Sequence, residues 1–381
     1  MDFGLLYEMQ VRKPWNATSE HRAYWQGVEQ AKAAEAAGFS HVWAVEHHFR
    51  EEFSHMSAPE VWLATVAQHT SRIRLGHGIV LLPVPFNHPV RVAERIGTLD
   101  IVSNGRVEFG TGRSVVELEL EGFGIEPGDS RPMWEESMTF LQQLWGSRGE
   151  EPIEFKGKYF SVPSRKVFPR PVQLPHPPMW MAATSPASYT VAGDYGLGVL
   201  AFGMAIDSHA MGRRLTEWRA AMGASQRYIP AKNPQAAVFM MAFCAKTDDE
   251  ARRICESSFI EYLDHTIDTF IRWGDRKELP PGYEWYADAA KRATRSGREK
   301  FDYLFENGMI LVGTPDRICE TVAGFQEVGA TQMISAMQLG RIPHDDVMRS
   351  VKLFGEAVIP NFTAGQADGG QARHAYLTNT I

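Results

Sequence analysis

The feature that most constrains this chain is a regular alternation of two hydrophobic periods. Short apolar runs rich in Val, Ile, Leu and Phe occupy residues 3–7, 41–46, 73–82, 107–110, 179–183, 198–202, 236–245 and 331–337. Between them lie longer segments of helical period, such as EHRAYWQGVEQAKAAEAAG closing at Gly38, a stretch opening on Ser57 with Pro59 in its first turn, and HPVRVAERIGTLDIVS. Eight β-runs each followed by a helix predict an α/β fold of the (β/α)₈ barrel type, whose reactive groups gather at the C-terminal ends of the strands. A doubly wound open sheet uses the same elements, but eight regular units close more naturally than they fan out.

Two insertions interrupt the rhythm. Residues 148–178, after the fourth run, alternate in β fashion and then become proline-rich, which predicts a small hairpin and an extended crossing. Residues 250–310, after the seventh, are charged and aromatic; an insertion there lies on the catalytic face and is a lid candidate, with Tyr283, Trp285 and Tyr286 as its aromatic residues. We expect one barrel domain over residues 1–362 and a mobile tail over 363–381, where Gly, Ala, Gln and Thr leave little to bury.

Composition narrows the function. A hydrophobic content of 44% over 381 residues supports a large core, and a net charge of −7 gives no basic field for nucleic acid. Three cysteines, Cys244, Cys255 and Cys319, are odd in number and lack C-x-x-C spacing, so a reducing cytoplasm is expected. The N-terminus acquires charge too early for a signal peptide, and no apolar run reaches the roughly 20 residues that span a bilayer.

Four stretches carry candidate chemistry. EHHFREEFSH, residues 46–55, sits at the end of the second run. Adjacent His47 and His48 point to opposite sides if the strand continues, so only one faces the barrel mouth, and with no H-x-H or H-E-x-x-H a metal cage is disfavoured. A packed histidine held by Glu46 is the plain alternative. RVEFGTGRS ends the fourth run: Gly110 and Gly112 permit close backbone approach, and Arg113 offers a planar fork suited to phosphate, although a tight turn with a surface arginine has the same pattern. Thr184, Ser185 and Ser188 lead into a helix with Pro186 in its first turn, an arrangement that serves as an N-cap, an anion site, or both. In GHGIVLLPVPFNHP, Gly76 and Gly78 suggest a bulge or the flat approach of a ring.

Taken together, and in this order along the chain, GFSHVWAVEHHF, IRLGHGIVLLP, LDIVSNGRVEFGTGRS, PRPVQLPHPPMWMAATSPAS, LVGTPDRICE and SVKLFGEAVIP resemble the bacterial luciferase-like flavin monooxygenases over roughly residues 1–360. The resemblance implies a (β/α)₈ barrel, usually dimeric, that takes reduced FMN from a separate NAD(P)H:flavin reductase, forms a flavin C4a-peroxide with O₂ and inserts one oxygen atom into a small organic substrate. It implies His47 as the catalytic histidine, with Glu46 as its orienting acid. Arg113, Thr184, Ser185 and Ser188 become phosphate-side positions, and Gly78 and Ile79 the step against which the isoalloxazine packs, often through a non-proline cis peptide. Two departures stand out: Thr184 replaces an acid of luciferase itself, and Gly112 replaces its reactive cysteine, which opens space for a substrate other than a long-chain aldehyde. A deazaflavin F420-dependent oxidoreductase of the same superfamily, and a non-catalytic flavin-binding partner subunit, are the alternative functions.

Overall fold

A computed structural model describes residues 1–147, 150–204, 206–292 and 297–363. Its strands are β1 (Asp2–Tyr7), β2 (His41–Ala44), β3 (Arg74–His77), β4 (Val80–Leu81), β5 (Val107–Gly112), β6 (Ile153–Lys156), β7 (Ser161–Arg165), β8 (Met179–Ala183), β9 (Gly198–Phe202), β10 (Ala236–Cys244), β11 (Leu311–Gly313) and β12 (Gln332–Ala336). Eight of them close into a parallel barrel in the order β1, β2, β3, β5, β8, β9, β10, β12 and back to β1. The expected (β/α)₈ architecture is therefore the observed one. Strands in such a barrel are covered on both faces, and β10, AAVFMMAFC, is buried at every position.

The helices start where the sequence signals them. Pro59, Pro89, Pro186 and Pro315 occupy first-turn positions, where the missing N–H costs nothing. Thr247 accepts a hydrogen bond from Glu250 N, and Asp248, Asp249 and Glu250 follow in the first turn, complementing the helix dipole. One hydrophobic core runs from Met1 to Ile359.

The third apolar run departs from expectation. It splits into β3 and β4 at Gly78 and Ile79, and the step between these two residues is trans, since every cis peptide among the described residues precedes a proline. Gly76 makes room for protein rather than ligand: a Cβ there would meet the Trp43 indole at 2.1 Å. The β2 strand ends at Ala44, so Glu46 to Arg50 already form loop.

The first insertion forms the expected antiparallel hairpin, β6 with β7. The second forms helices Asp248–Gly274, Glu284–Arg292 and Gly297–Glu306, followed by β11 alongside β10. A small separate core of Leu120, Ile125, Trp273, Tyr283, Tyr286 and Ala287 ties this insertion to the segment that follows β5. Trp273 and Tyr283 are fully buried there, each worth roughly 1.5–3 kcal/mol of apolar burial, and Trp273 Nε1 donates to Val115 O at 2.8 Å. Tyr283 and Tyr286 thus serve the packing of this region, with Tyr286 also reaching the cleft described below. Of the expected tail, all but Thr363 lies outside the described residues.

Candidate active site

The C-terminal ends of the strands surround a largely apolar cleft with a few converging polar groups. His47 faces into it from the loop after β2. His47 N donates to Met56 O at 2.9 Å, and Phe49 takes a positive φ of 60°, so the backbone turns sharply after the two histidines. His48 points away and packs among aromatic rings, stacked on Phe86 at 6.0 Å and edge-on to Phe123 at 4.9 Å. The division between the two histidines holds even though the strand has already ended.

The carboxylate that holds His47 is not the expected one. Glu46 accepts from Leu81 N at 2.9 Å and from Asn87 Nδ2 at 2.8 Å, and bonds His48 Nε2 at 3.1 Å. It braces the backbone just after Gly78 and Ile79, because its position on the loop aims it toward β4 rather than back at its neighbour. His47 Nδ1 instead lies 2.7 Å from Oε1 of Glu119, on the short helix Glu117–Gly122 that follows β5. Glu119 is buried and also accepts from His48 N at 3.1 Å and Ser114 Oγ at 2.6 Å. Burial alone would raise its pKa; the His47 charge and these donors outweigh that and hold it below the usual carboxylate range. The ionised Glu119 makes His47 Nδ1–H the donor and leaves Nε2 directed elsewhere. Ser114, at φ 62°, is a second non-glycine residue in the left-handed region, so the segments carrying both partners are strained at this pair.

On the other side of His47, Glu8 at the end of β1 is buried, accepts from Tyr262 OH at 2.8 Å through Oε1, and brings Oε2 to 3.8 Å from His47 Nε2. Burial pushes His47 down, but Glu119 and Glu8 more than reverse this and raise it above its ordinary value. Burial also raises Glu8.

Arg113, Thr184 and Ser188 also line the cleft. Ser185 Oγ and Ser188 Oγ lie 2.9 Å apart at the start of the helix Pro186–Asp194; Ser185 does not cap that helix with its side chain, Pro186 has no N–H, and Ser188 N donates to Ser185 O at 2.9 Å. Thr184 offers its carbonyl to Arg214 Nη1 at 3.0 Å. Arg113 is buried, donates to Ser130 Oγ and Gly282 O at 2.9 Å each, and lies 4.3 Å over the Tyr283 ring. Arg131 is its neighbour: burial first, and then the Arg113 charge, push its guanidinium below the usual arginine range. Arg131 Nη1 is buried without a hydrogen-bond partner. Neither arginine has a carboxylate within ion-pair distance among the described residues. Gly282, at φ +86°, bends against both, and a Cβ there would lie 3.5 Å from Arg113 Nη2 and 3.9 Å from Arg131 Nε. Two adjacent cations, Arg113 buried and Arg131 half-buried, with donor capacity to spare beside two serine hydroxyls, form a fit for a phosphate.

Between these ends, Gly78, Ile79 and Gly112 line the wall, and the missing side chain at Gly112 is filled by Ile79, whose Cδ1 would lie 1.9 Å from a Cβ there. A flat ring system with a phosphate tail matches this arrangement of apolar wall, proton-handling group and paired arginines. Among the described residues no three His, Cys, Asp or Glu side chains are grouped to hold a metal, and no helix is long and apolar enough to cross a membrane. Cys244, Cys255 and Cys319 are unpaired.

Sequence reasoning had singled out His47, Glu46, Gly78, Ile79, Arg113, Thr184, Ser185 and Ser188. Apart from Ser185, which reaches the cleft through Ser188, all of them line it. It missed Glu119, Glu8, Tyr262 and Arg131. Glu119 is one of three acids, with Glu117 and Glu121, that alternate with leucines soon after the G-x-G-R turn, so the sequence did not single it out; the other three carried no signal.

The barrel, with a cleft at the C-terminal ends of its strands lined by His47 and Arg113, defines a (β/α)₈ barrel with its candidate site in the position usual for enzymes of that fold. The sequence pattern of the luciferase-like monooxygenase family matches residues 1–332, and the chain belongs to that family. It is 26% identical over 361 residues to the 4-hydroxyprotoasukamycin monooxygenase of Streptomyces nodosus, covering 93% of this chain and 90% of that protein. It is 35% identical over 179 residues to the F420-dependent hydroxymycolic acid dehydrogenase of Mycobacterium tuberculosis, covering 46% and 48%. The same fold occurs in the oxygenating constituent of 3,6-diketocamphane monooxygenase from Pseudomonas putida, a type II Baeyer-Villiger monooxygenase solved with FMN, at a TM-score of 0.74, 22% identity and coverage of 94% and 98%.

Proposed function

We propose that this protein is the oxygenase component of a two-component flavin monooxygenase, which takes reduced FMN from a separate NAD(P)H:flavin reductase and uses O₂ to insert one oxygen atom into a small organic substrate. The observation that carries the reading is the pairing of Arg113, which is buried, with Arg131, which is half-buried, neither with a carboxylate at ion-pair distance among the described residues, with Ser188 on the wall of the same cleft and Ser185 bonded to it. Arg113, Arg131, Ser185 and Ser188 would hold the phosphate, while Gly78, Ile79 and Gly112 would face the ring. Bound reduced FMN supplies the electrons that activate O₂; the protein binds, orients and keeps water out. His47, held by Glu119 in a fixed tautomer, gives or takes the proton at Nε2.

His47→Ala is the test: it should bind FMN nearly normally and lose most product formation, and unchanged product formation would sink the assignment. The F420 reading is favoured by the 35% identity to an F420-dependent dehydrogenase. Titration of the protein with reduced FMN and with reduced F420 separates the two, and preference for F420 would overturn the monooxygenase proposal.

A further inference from the structure

Arg50 lines the same cleft as His47, and nothing in the cofactor reading uses it. It follows the two histidines on the loop after β2 and reaches the helix Asp248–Gly274 of the second insertion, where Nη2 donates to Thr269 Oγ1 at 3.0 Å and to His265 O at 3.3 Å. Those bonds use Nη2 alone. The N–H groups on Nε and Nη1 have no partner among the described residues, and neither nitrogen is sealed beneath the chain. Among the described residues no carboxylate lies within ion-pair distance of the guanidinium. The acids whose charges reach it, Glu119 and Glu8, are held by His47 and Tyr262. Packing fixes its place: the guanidinium lies 3.8 Å over the Phe53 ring, and Phe53 stacks on Tyr262 at 5.0 Å. A half-buried cation held in one position, with free donors and no acid of its own, is stabilised by an anion from outside the chain.

We propose that Arg50 is a specificity-determining residue of this cleft and binds the carboxylate of a small, otherwise apolar acid. This rests on the monooxygenase reading above and names its substrate class. A guanidinium is planar, always charged and weakly hydrated, which suits it to a carboxylate in a partly dry site. Phe53, Phe239 and Phe270 line the same cleft and offer apolar surface to the rest of the molecule. Charge balance points the same way. Glu119 and His47 offset one another, and burial raises Glu8 toward its uncharged form, so Arg50 leaves this cluster with one positive charge that a monocarboxylate cancels. The subsite is separate from the phosphate-side arginine Arg113: Arg50 is anchored on Thr269 and His265, Arg113 on Ser130 and Gly282. A neutral amide of the same shape accepts hydrogen bonds from Arg50 but forgoes the charge, and such bonds are about half as strong.

The test is a calorimetric titration of phenylacetate and phenylacetamide, which share a shape and differ in charge, into the parent, Arg50→Gln and Arg113→Ala, each with FMN in excess. The parent should bind phenylacetate at least about 10-fold more tightly than phenylacetamide. Arg50→Gln should weaken phenylacetate about 10- to 100-fold and leave phenylacetamide within about threefold, while Arg113→Ala should keep the preference. No preference in the parent, a preference that survives Arg50→Gln, or an equal loss for both ligands in that variant would overturn the proposal; the last outcome would make Arg50 a structural tie to the insertion. Loss of the preference in Arg113→Ala would overturn it too, by placing the carboxylate on the phosphate side. A second readout needs no variant to fold. In a crystal of the parent with 4-bromophenylacetate, the bromine signal orients the ligand, and its carboxylate should lie at hydrogen-bond distance from Arg50; a carboxylate on Arg113 or Arg131 would refute the assignment. If the protein showed the Arg50-dependent preference but did not bind FMN, the cofactor reading would fall and the anion subsite would stand. FMN binding without the preference would have the reverse meaning.

Discussion

His47 and Glu119 are 72 positions apart in the chain and meet with Nδ1 and Oε1 at 2.7 Å. The contact joins the loop after β2 to the short helix after β5, and it decides the protonation of the cleft. With Glu119, Glu8 and Arg50 as the charged groups around it, His47 titrates above its ordinary value of 6.5. If His47 acts as the proton donor, activity falls as pH rises through that raised pKa. Glu119→Gln should move this limb of the pH–rate profile to lower pH and reduce kcat about 10- to 100-fold. The same pair carries a linkage effect. A raised histidine contributes stability that is fully present below 6.5 and is lost as pH rises through the folded value, so Glu119→Gln should be most destabilising at acid pH, as read by denaturant unfolding across pH.

The two arginines give a separate expectation. Arg113→Ala should weaken FMN binding about 100-fold and Arg131→Met about 10-fold, since each removes a charge-assisted donor to the phosphate. Riboflavin, which lacks the phosphate, serves as control in the same fluorescence titration. Loss of the preference for FMN over riboflavin identifies a phosphate contact; an equal loss for both ligands would point to a structural role.

Glycines two positions apart should behave differently. At Gly110 a Cβ would meet the His77 carbonyl oxygen at 2.0 Å, a backbone atom that cannot swing aside, so Gly110→Ala should cost roughly 2–4 kcal/mol of stability. At Gly112 the obstacle is Ile79 Cδ1 at 1.9 Å, the end of a flexible side chain. Gly112→Ala should therefore fold with a Tm close to the parent's and alter flavin affinity instead, by displacing Ile79 along the cleft wall. Thermal unfolding paired with FMN titration checks both.

His77 makes stability pH-dependent in the opposite sense to His47. It is buried with neither ring nitrogen hydrogen-bonded, and burial pushes it down to about 4. A depressed histidine contributes stability that is fully present above about 6.5 and is lost as pH falls toward 4, a change of roughly 3 kcal/mol. His77→Leu should flatten the pH dependence of unfolding over that range and be at least as stable as the parent near pH 5, because it removes two buried nitrogens without partners.

Glu46 illustrates where local reasoning stops. Its adjacency to His47 suggested that it would orient that ring, yet its carboxylate braces Leu81 N and His48. Glu46→Gln should therefore perturb flavin binding, through the step at Gly78 and Ile79, more than it shifts the pH profile of His47. Flavin titration and the pH–rate curve, measured on the same variant, separate these effects.

Hydrophobic period is a property of neighbouring residues, and it was enough to set the eight strands, their parallel closure and the loops after the strand ends where His47, Arg113 and Ser185 sit. Turn chemistry likewise set the helix starts at Pro59, Pro89 and Pro186. Partner choice followed a different logic. Barrel closure brings together strand ends that are remote in sequence, so the carboxylate on His47 comes from Glu119, the second buried acid from Glu8, and the hydroxyl that holds Glu8 from Tyr262 in the far insertion, 254 positions away. No local pattern marks such residues, because each is selected by the distance and burial that the closed barrel creates. The order of the elements was readable along the chain; the electrostatics of the cleft exist only once it is folded.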